Sequence, residues 1–284
     1  MASAVRQFHP KLCLLGAPGS GKGSYGKILA RHWRIPIITV SDILKQRQQS
    51  STQDAAISSG KLVDDHIVSQ ALLDYFEEQE ASTAKTTNLI SGGGGYILDG
   101  FPRTIQQIQI MDNAWPDHLK INAAVHLNVP AHVCERKLLG RRICTICGNN
   151  YNVNGVLFDG FDLPPKLPHP GECHPMHQSG VTSASLPQQH MLASRSSTTS
   201  SHRCDPATAK HWKQRDDDQV DIIHHRLLVY KQHTEPILEH FRRRGKLFEF
   251  IPYKGFDDMP KFQSQLEEWV VDKFPSLISE GSAT

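Results

Sequence analysis

The chain has 284 residues, 38% of them apolar, with 20 Gly, enough to bury a sizeable core as one large domain or two small ones. Apolar content sits at the low edge of the globular range, so some stretch must dilute the average. Lys plus Arg is 31 against 29 Asp plus Glu, a formal charge of +2, which excludes a strongly basic nucleic-acid binder and a polyacidic tail protein.

No apolar run reaches the ~18 residues of a membrane span. Six Cys are too sparse for a disulfide scaffold, which points to metal binding or ordinary core use. Only about ten residues precede the first apolar run, too few for a secretory h-region or a transit peptide. A cytoplasmic protein is expected, with import into mitochondria through internal signals as the alternative.

Along the chain, short apolar runs alternate with helical patterns. Leu12–Leu15 reads as a strand, and Ile28–Trp33 follows with a helical pattern. Ile37-Ile38, Tyr96–Leu98, Ala123–Leu127 and Leu247–Phe250 read as further strands. Leu62, His66, Leu73 and Phe76 recur at near-helical spacing, Val133–Leu139 gives another helix, and Val220, Ile223, Leu227 and Tyr230 start a late one. Strands separated by helices imply an α/β fold with a parallel sheet and crossover helices. From Tyr151 to Lys213 the helical period disappears. Residues 178–203, rich in Ser, Thr and Gln, read as a disordered insertion, because that composition cannot offset ordering entropy.

Gly16-Ala17-Pro18-Gly19-Ser20-Gly21-Lys22-Gly23-Ser24 lies between a strand and a helix. Such a loop converges backbone N–H groups on anionic oxygens, and the helix N-terminus adds positive potential. Lys22 can reach the β- and γ-phosphates. The strict phosphate-loop pattern places Ser or Thr directly after Lys; here Gly23 intervenes and Ser24 supplies the hydroxyl. The bland alternative, a turn joining strand to helix, does not account for Lys at this offset. The segment Tyr96–Thr104 puts Asp99 at a strand's C-terminal end, where open α/β sheets bind ligands, and offers Arg103 as a planar clamp for phosphate. Read alone, it could equally be a strand end with a surface salt bridge.

Taken together these segments resemble the adenylate kinase family, nucleoside monophosphate kinases of the P-loop class. The loop Gly16–Ser24, the Asp-Gly-Phe-Pro-Arg segment Asp99–Arg103, Gly60-Lys61-Leu62-Val63, Gly140-Arg141-Arg142, Arg215–Asp218, Arg226 and Thr234–Ile237 carry the resemblance in order, over about residues 10–150 and 213–270. It implies a P-loop NTPase-like parallel sheet flanked by helices, with a core over 1–38, 69–139 and 219–284, a monophosphate-binding insert over 39–68 and a lid over 140–218. It implies ATP plus AMP giving two ADP with Mg²⁺, in a monomer with no nucleic-acid or membrane partner.

The resemblance also implies roles. Lys22, Arg103, Arg141, Arg215 and Arg226 act on the phosphates. ATP is bound by Gly19, Ser20, Gly21, Lys22, Gly23, Ser24, Lys137, Arg141, Tyr151 and Gly255. AMP is bound by Val40, Lys45, Lys61, Leu62, Val63, Gly100, Phe101, Pro102, Arg103, Gln107, Arg215 and Arg226. Ser24 and Asp99 lie near Mg²⁺. Three residues depart from the family pattern. Val40 replaces a Thr or small residue, Lys45 replaces a bidentate Arg with a point charge, and Lys137 stands where an Arg stacks on adenine. Gln107 matches the family's adenine-reading Gln.

Cys144 and Cys147 form a C-x2-C knuckle that can present two thiolates to Zn²⁺. Cys173 and Cys204 would complete a tetrahedral set, with His174, His177, His202 or Asp205 as substitutes. A metal-free knuckle and a redox pair remain as alternatives. Cys13 and Cys134 read as small core residues. Other donors or acceptors (GTP, UMP or CMP), and a nucleotide-binding regulator without turnover, are the competing functions.

Overall fold

The computed structural model describes residues 5–47, 62–82, 94–168 and 211–281. Gly60, Lys61, Cys173, Cys204 and the stretch 178–203 lie outside them.

Five strands form one parallel sheet: β2 (Lys11–Leu15), β3 (Ile37–Thr39), β4 (Tyr96–Asp99), β5 (Ala123–Leu127) and β11 (Leu247–Phe250). Their order across it is β11-β5-β2-β4-β3. Strands β2 and β5 are buried at every position, which is why they read as continuous apolar runs rather than as alternation. The pleat still sorts their side chains. Cys13 and Leu15 face one core, shared with α3 (Asp65–Ser82), α4 (Ile105–Ala114) and α6 (Val220–Arg243) through Leu72, Phe76, Ile108 and Phe241. Leu12 and Leu14 face the other, shared with α1 (Lys22–Trp33) and α7 (Met259–Lys273) through Leu29, Trp33, Phe262 and Leu266.

One helix begins later than the sequence suggests, and one short helix is not marked by any apolar period. The helix expected from Leu62 starts at Asp65. Asp64 accepts from the N–H groups of His66 at 2.9 Å and Ile67 at 3.2 Å, a cap that leaves Leu62 and Val63 outside the helix. The short helix α2 (Val40–Gln46) begins at Val40, which is buried, and ends around the exposed Lys45. Helix α6 runs past Pro236, whose missing N–H leaves the Gln232 carbonyl without its usual partner.

The segment after α5 (Ala131–Leu139) forms two small antiparallel units. One is a three-stranded sheet of β6 (Arg141–Cys144), β7 (Asn150–Asn152) and β10 (Trp212–Lys213). The other is a hairpin of β8 (Val156–Phe158) and β9 (Phe161–Leu163). Hairpin residues Val156, Phe161 and Leu163 share a third core with Val133 and Leu138 of α5 and Ile223 and Leu227 of α6. Apart from the main sheet, β1 (Val5–Phe8) pairs antiparallel with β12 (Ile278–Gly281). Among the described residues no helix is long and apolar enough to cross a membrane.

Candidate active site

The loop after β2 closes so tightly that its glycines are obligatory at two positions. A Cβ on Gly19, at φ +90°, would meet the Cys134 carbonyl at 2.6 Å. One on Gly16 would meet the Ser20 hydroxyl at 2.7 Å. That hydroxyl is buried and has no hydrogen-bond partner among the described residues. The loop delivers the chain into the N-terminus of α1, where Lys22 Nζ donates to the carbonyls of Gly16 and, at 3.0 Å, Ala17. Burial pulls the Lys22 pKa down to about 8; the Asp99 charge opposes this, while Arg103 and Arg226 add to it. Lys22, Asp99, Arg103 and Arg226 therefore share one electrostatic field.

Gly23 explains the departure from the strict loop pattern. A Cβ there would lie 3.2 Å from Asp99 Oδ2, so a larger residue would crowd the carboxylate. The Asp99 carboxylate thus lies against the first turn of α1, where Ser24 follows Gly23, and both side chains are hard oxygen donors of the kind Mg²⁺ takes. Arg103 follows from the end of β4. It is exposed, with Nε donating to the Gly100 carbonyl at 3.1 Å. Desolvation lowers its pKa, and Asp99 opposes that shift.

Three arginines from separate elements meet at two adjacent carboxylates. Arg141, opening β6, makes a bidentate pair with the fully buried Asp218 at 2.7 and 2.5 Å. Arg215 grips Asp217 at 2.8 and 2.9 Å. Arg226, from α6, lies 2.9 Å from Asp217 and 3.7 Å from Asp218. The Asp217 carboxyl titrates below its ordinary value: burial pushes it up, but Arg226, Arg215 and Arg141 outweigh that. The neighbouring Asp216 is exposed and pairs with Lys213 at 3.1 Å.

The remaining candidates are distributed unevenly. A Cβ on Gly21 would lie 3.7 Å from the Tyr25 ring and 3.8 Å from Lys137 Nζ. Tyr25 hydroxyl donates to the Gly255 carbonyl, and Leu163 of the hairpin lies 3.1 Å from the Cβ position of Gly255. Tyr25 is a residue the motifs do not single out; its only signal is an aromatic one turn into the phosphate-loop helix. Val40 packs 3.7 Å from the Cβ position of Gly100. Phe101 and Pro102 are buried, and Phe101 stacks on Trp115 with ring centroids 5.3 Å apart. Gln107 is buried and bonded to Arg103 and Asp65. Tyr151 is 3% exposed and its ring stacks on Trp212 within the small sheet.

Cys144 and Cys147 share a tight turn, with Gly148 N–H donating to the Cys144 carbonyl at 2.9 Å and Gly148 at φ 68°. Two thiols on one turn fit half of a tetrahedral zinc site. Among the described residues no group of three or more metal-ligating side chains gathers. Cys13 and Cys134 are wholly buried core residues.

Comparison with known proteins matches residues 14–246 to the adenylate kinase family model. The chain is similar to an adenylate kinase of Nitrosococcus oceani, 29% identical over 259 residues covering 89% of this chain and 94% of the relative. It is similar to adenylate kinase 1, chloroplastic, of Arabidopsis thaliana, 30% identical over 241 residues covering 83% and 70%. It is also similar to a GTP:AMP phosphotransferase of Plasmodium falciparum, 29% identical over 262 residues covering 90% and 95%. With the parallel sheet, the phosphate loop and the match over most of its length, the chain belongs to the adenylate kinase family of enzymes.

Proposed function

We propose that the protein moves the γ-phosphoryl group of Mg-ATP to AMP, giving two ADP. The observation that carries this is the meeting of Lys22, Arg103 and Arg226 in one field, with Arg141 and Arg215 tied to Arg226 through Asp217 and Asp218. The acceptor phosphate is already anionic, so no general base is needed, and alignment with charge neutralisation does the work. Lys22 takes the β- and γ-phosphates, Arg103 the acceptor phosphate, and the three other arginines the group in transit. Asp217 and Asp218 keep those arginines from repelling one another until phosphate replaces the carboxylates as partner. Ser24 and Asp99 would hold the Mg²⁺, which draws charge from the phosphates when bound. Closing the 141–152 and 212–213 sheet over the cleft would exclude water and suppress hydrolysis.

The test is ADP formation from ATP plus AMP with Mg²⁺, before and after a zinc chelator. Turnover in the parent and its loss, by at least a hundred-fold, in Lys22→Ala are expected. A parent inert with every nucleotide pair would overturn the reading. Loss of activity or of thermal stability on chelation supports zinc at Cys144 and Cys147. A second reading uses GTP as donor: Lys137 puts a point charge where a stacking guanidinium is the family pattern, and one relative is named for GTP. The same assay run across donors separates the two.

A further inference from the structure

Gln107 is 2% exposed, and both ends of its amide are held. Its Oε1 accepts from the main-chain N–H of Arg103 at 2.7 Å. Its Nε2 donates to Asp65 Oδ1 at 2.9 Å. Its own N–H is held by the Thr104 hydroxyl at 3.1 Å, which starts α4 and fixes the base of the side chain. An amide can ordinarily turn over to suit its neighbours. Here it cannot. A main-chain N–H only donates and a carboxylate only accepts, so the turned amide would face donor with donor and acceptor with acceptor.

Each end of the amide keeps one bond unspent, an N–H on one side and an oxygen lone pair on the other. Their order is therefore set before any ligand arrives. We propose that Asp65 is a positioning residue which, with the Arg103 N–H, locks Gln107 to select a 6-amino purine monophosphate over its 6-oxo counterpart. This rests on the reading of Arg103 as the acceptor-phosphate ligand. Adenine presents an N–H donor at position 6 beside an acceptor at N1, which meets oxygen and N–H in the locked order. Hypoxanthine presents an acceptor at position 6 beside an N–H at N1, which meets that order with two mismatches, and unpaired polar groups at a closed site are discriminated against.

The competing role is a staple between α3 and α4, which would weaken both ligands alike. The experiment compares kcat/KM for AMP and IMP in the parent, Asp65→Ala and Asp65→Asn, each checked by thermal melting. For IMP the inhibition constant against AMP is used where turnover is slow. The AMP-to-IMP ratio is expected to fall about five-fold in Asp65→Ala, the weight of one orienting hydrogen bond. Asp65→Asn should keep the parent ratio, because its side-chain oxygen still accepts. Asp65→Ser, too short to reach, replaces the Ala variant if that one does not fold, with the same expected fall. An equal loss for AMP and IMP, or a ratio unchanged in Asp65→Ala, overturns the proposal. A parent that neither turns over nor binds AMP would instead sink the kinase reading.

Discussion

Lys22, assigned above to the donor phosphates, is held at a pKa of about 8, below its ordinary value, chiefly by burial. Between that value and the ordinary one the unfolded chain binds more protons, so this group makes stability rise with pH there. Nucleotide phosphates favour the ammonium and raise its pKa again. Donor binding near pH 8.5 should therefore take up protons, and donor affinity should fall as pH rises past about 8. Calorimetric titration in buffers of different ionisation enthalpy reads this directly; no proton uptake would contradict it. Lys45, exposed at the end of α2, replaces a planar fork with a point charge. Lys45→Arg should lower the AMP KM about five-fold, the equivalent of about 1 kcal/mol for a regained bidentate contact. Lys22, Asp99 and Arg103 are legible in the sequence because their chemistry depends on local spacing. Asp65 and Tyr25 are not, because their partners Gln107 and Gly255 are distant in sequence and only packing brings them together.

At the level of elements, the hairpin β8–β9 changes what the lid segment is. Its composition resembles loop, yet it is fastened to the core. Asp162 N–H donates to the Tyr253 carbonyl at 2.8 Å, Arg136 Nε to the Gly155 carbonyl at 3.0 Å, and Phe161 packs on Tyr253 with ring centroids 5.0 Å apart. Under the proposed closure, the part that moves would be the three-stranded sheet, because the hairpin is packed with α5 and α6. Phe161→Ala should destabilise the fold by about 3 kcal/mol, the ordinary cost of an emptied aromatic site, with a smaller effect on turnover, measured by denaturant unfolding beside the kinase assay. The central strands are readable because both faces are buried and the runs are uninterrupted. Strands of two to four residues such as β6, β7 and β10 are too short to show a period, and the helix start at Asp65 depends on a cap that hydrophobic spacing does not register.

For the whole molecule, the near-neutral charge conceals a local concentration of cations around Lys22 and Arg226, balanced by Asp99, Asp217 and Asp218. The strand order β11-β5-β2-β4-β3 places β2 at the centre, so the phosphate loop is braced from both sides. Leu12 lies beside Ile97 on one strand and Ala123 on the other. The ribbon of β1 and β12 has a consequence for synthesis. Val5 is paired with Gly281, so the first of these strands to leave the ribosome is the last to find its partner. Phe250, which pairs with Leu127 at the edge of the parallel sheet, is synthesised well before Gly281. A released chain ending just after α7 would thus contain every strand of the parallel sheet while its leading strand lacked the tail it pairs with.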